Sequence, residues 1–499
     1  MSGASDLVVG IDVGTTAVKA ALFTGHGTVL RRHTGGHAMV RPRPGWAEQE
    51  PQQWWLGCVR GVESVLEDIE PEAVRALGVV SQVNTHVFVD SDLRPLLPAI
   101  TWQDQRCADI AREVDEKLTP ADKMRIWGHE STVDASALVA RALWVTRHEP
   151  EVWRRTRWVL SPKDYLNARL TGKVATDAHS SIGLVDAAAR GYLTEAVDLV
   201  EGLAERLPPL TGPTVSLGQP VHPPFDRLLG SATVVVGTMD ALGDAHGCGL
   251  ATPRRAMVSC GTSLVVAGVS DRARPTPGVV TFPPIDGLHI HAGPTQAGGD
   301  ALRWWSRTCG LTVAQVLVDA ASARGGSGVV FTPHLSGERA PLWDAAVRGS
   351  FLGLSASTTR QDMSRAVLEG VAMSGRQVLA AVESACDAPL APITLSGGGA
   401  NSDLWAQIFA DVLGRPLQRL TTRDYSAAFG AALLASVGAG AYPDLRTAAG
   451  EAVAVDRAFV PDRQQNEMLD PLYEIYVDSY HALREIHTKM VSWRSQRGY

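Results

Sequence analysis

The stretch LVVGIDVGTTAVKAALF, residues 7–23, sets Asp12, Gly14, Thr15 and Thr16 between two apolar runs, with Lys19 in the second run. Glycine at such a turn lets backbone N–H groups come close to a phosphate oxygen, and adjacent threonine hydroxyls add donors without charge. A carboxylate beside a bound triphosphate is repelled unless a cation intervenes. Asp12 therefore reads as a magnesium partner, direct or through water, and Lys19 as a neutraliser of a transferring phosphoryl group. The plain alternative for a single turn of this kind is a hairpin stabilised by an Asx turn. The pattern returns in AMVSCGTSLVVAGVS, residues 256–270, where Gly261-Thr262-Ser263 again joins two apolar strands, and this repetition weighs against the plain alternative.

Two further places carry chemistry. LSGGGANSDLWAQIFADVLGRPL, residues 395–417, reads as a strand, a glycine triplet and a helix with Leu404, Ile408 and Val412 on one face. Glycines there let a flat ring lie on the backbone, and the adjacent helix N-terminus favours negative charge, although a bare strand-to-helix turn has the same signature. The strand VVVGTMD delivers Asp240 at its C-terminal end, where open α/β sheets place ligands. Helix N-capping is the alternative role for a lone aspartate at that position. Asp244 competes with Asp240 as a base, but its spacing sets it a turn into the following helix, so Asp240 is preferred.

The elements that position these residues read as mixed. Leu7–Ile11, Ala17–Phe23 and Thr28–Arg32 form a β-prone meander, and Gln52–Asp68 is helical, with Trp54, Val62 and Leu66 at helical spacings. Leu77–Val80 is another strand, followed by the polar turn SQVNTH and the strand VFVD. If Val79–Asp90 is extended, Asn84 and His86 share one face opposite Val83 and Val87. A carboxamide and an imidazole on that face suit neutral hydroxyls, while the bland role for His86 is to cap a turn. Residues 109–217 are helix-rich and irregular and read as an inserted cap, and the proline-rich runs PPLTGP and QPVHPP lead into the strand TVVVGTMD. The expected domains are 1–250 and 251–499, the second ending in helices. An echo roughly 250 residues apart implies an α/β domain type duplicated and facing its copy across a central cleft.

Composition narrows the function classes. A chain of 499 residues suits two or three domains at roughly 150 residues each. Its 45% hydrophobic and 20% charged content is that of a globular protein, and a net charge of −7 offers no broad basic field for nucleic acid. Cys58, Cys107, Cys248, Cys260, Cys309 and Cys386 form no CxxC pair, which fits reduced thiols. MSGASDLVVG lacks the basic and apolar regions of a signal peptide, and no run of eighteen apolar residues occurs, so a cytoplasmic, non-membrane protein is expected.

Together these segments resemble the FGGY family of carbohydrate kinases, which share the duplicated, ribonuclease-H-like ATPase fold of hexokinase, actin and the seventy-kilodalton chaperones. The most specific stretch is GSFLGLSASTTRQDMSRAVLE, residues 349–369, which is similar to the family signature in spacing and residue class. LSGERAPLWDAAVRG resembles the preceding loop of xylulokinases and glycerol kinases, and LPAITWQDQRC and PKDYLNARLTGKVATD resemble further family segments. The resemblance implies magnesium at Asp12 and phosphates at Thr15, Thr16 and Lys19, with Gly261 and Thr262 on the other side of the triphosphate. It implies an adenosine pocket at Gly398, Gly399 and Asn401, the catalytic base at Asp240, and substrate contacts at Trp102, Asp104 and Arg106. ATP and Mg2+ are the expected cofactors.

Departures from the family bear on the substrate. Gln82-Val83-Asn84-Thr85 stands where xylulokinases read Gln-Met-His-Gly and glycerol kinases place Arg-Glu, and Ala241 follows the base where those kinases carry Asn or Gln. The expectation is ATP-dependent phosphorylation of a primary hydroxyl of a small uncharged polyol or ketose, a pentulose, pentitol or tetritol, read by Val83, Asn84 and His86. The rival from another class is a nucleotide-driven conformational ATPase of the same superfamily. A sugar-responsive repressor would need a helix-turn-helix before Leu7, where only six residues stand. A homodimer is left open.

Overall fold

Leu7–Val13 and Ala17–Thr24 pair as an antiparallel hairpin whose register sets Asp12 opposite Lys19 and Val13 opposite Val18. Val29–Gly36 continues the meander with alternating half-buried and exposed residues, as an edge strand requires. Val74–Ser81 then runs parallel to Leu7–Val13 on its other side, with Ser81 opposite Val13. Thr233–Val235 lies parallel to that strand, and Ser216–Gly218 closes the six-stranded sheet antiparallel. Strands in the middle read as unbroken apolar runs because both faces are covered. The helix Pro51–Val65, opened by proline at its first turn, buries Trp54, Trp55 and Val62 against Val9, Ile11 and Val18.

This computed structural model describes residues 6–119, 121–123, 133–186, 191–272, 274–495 and 497. A seven-stranded sheet follows the same plan as the first. Val280–Thr281, His289–Pro294, Leu264–Ser270 and Ala256–Cys260 form an antiparallel run, then Ile393–Ser396 and Leu417–Leu420 continue in parallel, and Val455–Phe459 ends the sheet antiparallel. The fold class is mixed α/β with two sheet-containing units, as the duplicated turns imply.

One unit comprises Met1–Ala251, Phe282–Gly287 and Tyr425–Val453; the other comprises Thr252–Thr281, Leu288–Asp424 and Ala454–Tyr499. The 251–499 half expected from the sequence therefore does not stay together. The helix Ser426–Gly438 belongs to the first unit because its small residues let its backbone rest directly on two strands. A Cβ at Gly10 would lie 1.9 Å from the Ala428 carbonyl oxygen, and one at Gly78 would lie 2.0 Å from that of Ala431.

Within the expected insertion, the helices Ala108–Asp115, Leu138–His148, Pro150–Arg155 and Pro162–Thr171 are present; residues 120, 124–132 and 187–190 lie outside the described residues. Phe88, Ile110, Trp144, Val145 and Trp153 give this region its own core. The second unit ends in the long helix Arg463–Ser495. All six cysteines are free thiols, and no helix among the described residues is long and apolar enough to cross a membrane.

Candidate functional site

In the first unit, the turn at Gly14 is closed by its own N–H donating to the Ala17 carbonyl at 3.0 Å. His37 Nε2 donates to the Gly14 carbonyl at 3.0 Å, and Gln49 Nε2 donates to the Thr15 carbonyl at 2.6 Å and to His37 Nδ1 at 3.2 Å. Gln82 Nε2 in turn donates to Gln49 Oε1 at 2.7 Å. Burial lowers the His37 pKa against the opposing pull of the Gly14 carbonyl, which suits the neutral ring that these bonds need. The chain thus fixes the turn carbonyls from below. Neither His37, Gln49 nor Gln82 stands out in sequence; the available signal is Gln49 in GWAEQEP, a carboxamide just before a proline-opened helix.

Two carboxylates carry the unusual electrostatics. Asp240 is the first residue of the helix Asp240–Gly247, and its Oδ1 accepts from the Ala241 N–H at 2.7 Å. Burial, then the negative charge of Asp12, pushes its pKa up to about 8. Asp12 is pushed up to about 6 by burial, with Lys19 pulling down and Asp244 pushing up. Asp12 Oδ1 is buried with no hydrogen-bond partner. Asp244, one helical turn beyond Asp240, accepts from Ser426 Oγ.

A divalent cation fits this arrangement, because it would satisfy the orphaned Asp12 oxygen and relieve the repulsion with Asp240. No cluster of three or more histidine, cysteine or acidic side chains suited to a metal occurs among the described residues. The remaining coordination positions would fall to phosphate oxygens and water, the usual habit of magnesium.

The segment 79–90 differs from the expected extended run. The strand stops at Ser81 and resumes at Val87, and Asn84 has a φ of 52°. This left-handed residue breaks the alternation, so the period-of-two argument for Asn84 and His86 does not hold. Asn84 Nδ2 donates to Ser136 Oγ at 3.1 Å, with Val83 half-buried beside it. His86 is buried, and burial followed by the Arg141 charge holds its pKa well below normal, so the ring is neutral. Its Nδ1 accepts from Arg141 Nη1 at 2.9 Å, and the same guanidinium donates to the carbonyls of Asn84, Ile100 and Thr101. Arg141, which the sequence did not single out, ties the 82–86 bend to the segment bearing Trp102.

Trp102 is 40% exposed, its indole N–H donates to Thr15 Oγ1 at 2.9 Å, and its backbone N–H donates to Thr85 Oγ1 at 3.2 Å. Asp104 is fully buried and committed: Oδ2 accepts from the Ala47 N–H at 2.6 Å, and both oxygens accept from Arg106. Arg106 also donates to Glu48 at 2.7 Å and stacks 3.5 Å from the Trp46 ring centroid. Trp102 thus joins the Thr15 turn, whereas Asp104 and Arg106 brace the loop beneath it.

In the second unit, the Gly261 N–H donates to the Ser263 carbonyl at 2.9 Å. Gly299 and Asp300, at the start of the helix Gly299–Cys309, donate their N–H groups to the carbonyls of Gly261 and Thr262, and Arg303 donates to Thr262 Oγ1 at 2.9 Å. AGGDALRWW, a glycine pair opening a helix, is the sequence signal for this missed support. The Gly397–Gly399 turn lies on the same strand end, since a Cβ at Gly399 would sit 2.7 Å from Cys260 Sγ. A Cβ at Gly398 would meet nothing within 4 Å, which leaves that face open. Asn401 is held by Asp424 at 2.8 Å and Arg423 at 2.9 Å.

Known proteins are similar to this chain along nearly its whole length. Residues 7–245 match the FGGY family of carbohydrate kinases, N-terminal domain, and residues 256–439 match its C-terminal domain. The chain is 32% identical to the xylulose kinase of Escherichia coli (strain K12) over 493 residues, 96% of this chain and 99% of that one. It is likewise 32% identical to the xylulose kinase of Klebsiella pneumoniae over 494 residues, covering 96% of this chain and 100% of the relative. The crystal structure of a xyloylose kinase from Brucella ovis superposes with a TM-score of 0.86 at 30% identity, covering 96% of this chain and 100% of that chain. The chain belongs to the FGGY family of carbohydrate kinases, and it is a kinase.

Proposed function

We propose that the protein transfers the terminal phosphoryl group of ATP to a primary hydroxyl of a small uncharged ketose or polyol, with Asp240 as general base. The observation that carries this reading is the pair of raised carboxylates, Asp12 with an orphaned buried oxygen and Asp240 beside it at the start of a helix. Perturbed carboxylates of this kind are what acid–base chemistry at neutral pH requires. Magnesium held through Asp12 would neutralise phosphate charge and ease ionisation of Asp240. Thr15, Thr16 and Lys19 in the first unit, and Gly261 and Thr262 in the second, are the proposed phosphate ligands. Gly398 and Gly399 offer backbone against which the adenine would lie, and Asn401, fixed by Asp424 and Arg423, would border it. Asp240 takes the hydroxyl proton, and Trp102 orients the acceptor while pinned to the Thr15 hydroxyl.

For the acceptor, Asn84 is a carboxamide and His86 is held neutral, so neither supplies the fixed positive charge an acid sugar needs. The xylulose kinase relatives favour a five-carbon ketose within the proposed class. A coupled assay of ADP release over pentuloses, pentitols, tetritols, glycerol and gluconate tests this reading. A pentulose or pentitol should turn over fastest; a clear preference for gluconate or glycerol would overturn the acceptor assignment.

A further inference from the structure

The helix Pro162–Thr171 and the residues after it bury a charged cluster that the proposed chemistry does not use. Lys163 is fully buried, with Nζ 2.5 Å from Asp164 Oδ1 and 3.0 Å from Asp177 Oδ1. The second oxygen of Asp164 accepts from Ser161 Oγ at 2.7 Å and Thr176 Oγ1 at 2.8 Å. Asp177 Oδ2 accepts from Thr238 Oγ1 at 2.7 Å and faces His179 Nδ1 at 3.2 Å, while His179 Nε2 donates to the Pro283 carbonyl at 2.8 Å. Burial works against the charge on Asp177, but the Lys163 ammonium and the His179 ring hold its carboxyl well below the usual range.

Such a cluster is a poor device for stability alone, since buried ion pairs are often replaceable by apolar residues at no loss. Its connections point elsewhere. Thr238 stands two residues before Asp240, just after a bend at Gly237 with φ 71°. The approach to that bend is held by the same helix, because Asn167 Nδ2 donates to the carbonyls of Val235 at 3.2 Å and Val236 at 2.9 Å. The helix also reaches the neighbouring strand end: the Lys163 backbone N–H donates to Ser81 Oγ at 3.1 Å, and Ser81 lies opposite Val13, next to Asp12. Beyond Gly237, the side-chain bond from Thr238 to Asp177 fixes the chain before it turns into the Asp240 helix.

We propose that Asp177, held by Lys163 and acting through the Thr238 hydroxyl, is a positioning residue that aims Asp240 at the acceptor hydroxyl. The inference rests on the reading of Asp240 as general base. Displacement of a reacting group by about 1 Å costs on the order of 10²-fold in rate, so a loosened bend is felt in turnover before it is felt in binding. The test uses the full-length protein with magnesium-ATP and D-xylulose, or D-ribulose, xylitol or erythritol if one of these turns over faster. Thr238→Val removes the donor at nearly constant shape. It should lower kcat about 10- to 100-fold, with both KM values within about threefold of wild type. Thr238→Ser, which keeps the hydroxyl, should restore kcat to within about threefold, and Thr238→Val should add no loss in an Asp240→Asn background. Asp177→Asn, where its melting shows it folded, should reproduce the kcat loss; where it does not fold, the Thr238 pair decides. Wild-type kcat in Thr238→Val beside an inactive Asp240→Asn overturns the inference alone, as does a serine variant no better than valine. Full activity of Asp240→Asn overturns the base assignment and the inference with it.

Discussion

Replacing Asp240 with asparagine should lower turnover steeply and, at the same time, stabilise the free protein at alkaline pH. Well below pH 3.8 the carboxyl is protonated whether the chain is folded or not. As pH rises, the unfolded chain loses this proton near the ordinary value of 3.8, whereas the folded protein holds it until about 8. The folded state binds more protons throughout that window, so the contribution of Asp240 to stability is present below 3.8 and is lost by pH 8. At about 1.4 kcal/mol per pH unit, the ceiling on the loss is roughly 6 kcal/mol. Asp240 is half-buried, and solvent reaching it discounts both the burial cost and the repulsion from Asp12, so about 2 kcal/mol is the expected size. Asparagine does not titrate, so the variant should gain on the wild type between pH 5 and pH 8 and hold a constant lead above. Thermal melts at pH 5, 7 and 9, without nucleotide or divalent cation, read the gain as roughly 2–3 °C. Turnover should fall about 10²- to 10⁴-fold. Parallel pH curves for the two proteins would refute the claim that burial and Asp12 hold Asp240 protonated.

Three other substitutions separate the remaining roles. Gly398→Val should fold normally, since a Cβ there meets nothing within 4 Å, yet raise the KM for ATP about tenfold or more while the acceptor KM stays put; an unchanged KM for ATP would remove Gly398 from the nucleotide site. Asp12→Ala should lower turnover about 10²-fold and raise the magnesium concentration needed for half-maximal rate, and full activity at limiting magnesium would exclude it as a metal partner. At position 84, Asn84→Gly is the cleaner probe than alanine, because the left-handed backbone suits glycine. It should lower kcat/KM for the acceptor about tenfold with the KM for ATP unchanged, and unaltered acceptor selectivity would exclude the carboxamide from recognition.

What could be read from the sequence was what depends on local pattern. The hairpins at Gly14 and Gly261 announce themselves because a glycine and hydroxyl residues interrupt apolar runs, and the echo between them points to two sheets of one plan. The place of Asp240 at a helix start was legible because a strand end followed by a helix fixes where its side chain begins. The misread positions depend on long-range partners. Asn84 enters the left-handed region within a bend that Arg141 grips, and Arg141 is 57 residues away. Asp104 looks free in WQDQR, yet the Ala47 N–H and Arg106 occupy both its oxygens. The helix Ser426–Gly438 falls within the expected 251–499 domain, and only the bare Cα atoms of Gly10 and Gly78 show that it rests on the first sheet.

The two hairpins differ in ways that bear on the roles proposed for them. In the first, the charged pair Asp12 and Lys19 stands directly across the strands, and four residues, Gly14 to Ala17, make the turn. In the second, Cys260 pairs with Leu264 and the turn is one residue shorter, and Ser259 faces Val265 where the first copy sets Asp12 opposite Lys19. The second copy thus offers no carboxylate to a cation at that place, and its charge comes instead from Arg303 on the Thr262 hydroxyl. The absence of an acid and the presence of a guanidinium suit that hairpin to the anionic phosphate proposed there. The first hairpin keeps the acid, and the raised Asp240 lies close enough to feel it. Duplication alone would yield two equivalent phosphate turns. On the proposed assignment the metal and the proton fall to one copy and anion binding to the other, because Ser259 and Val265 stand where Asp12 and Lys19 face each other in the first.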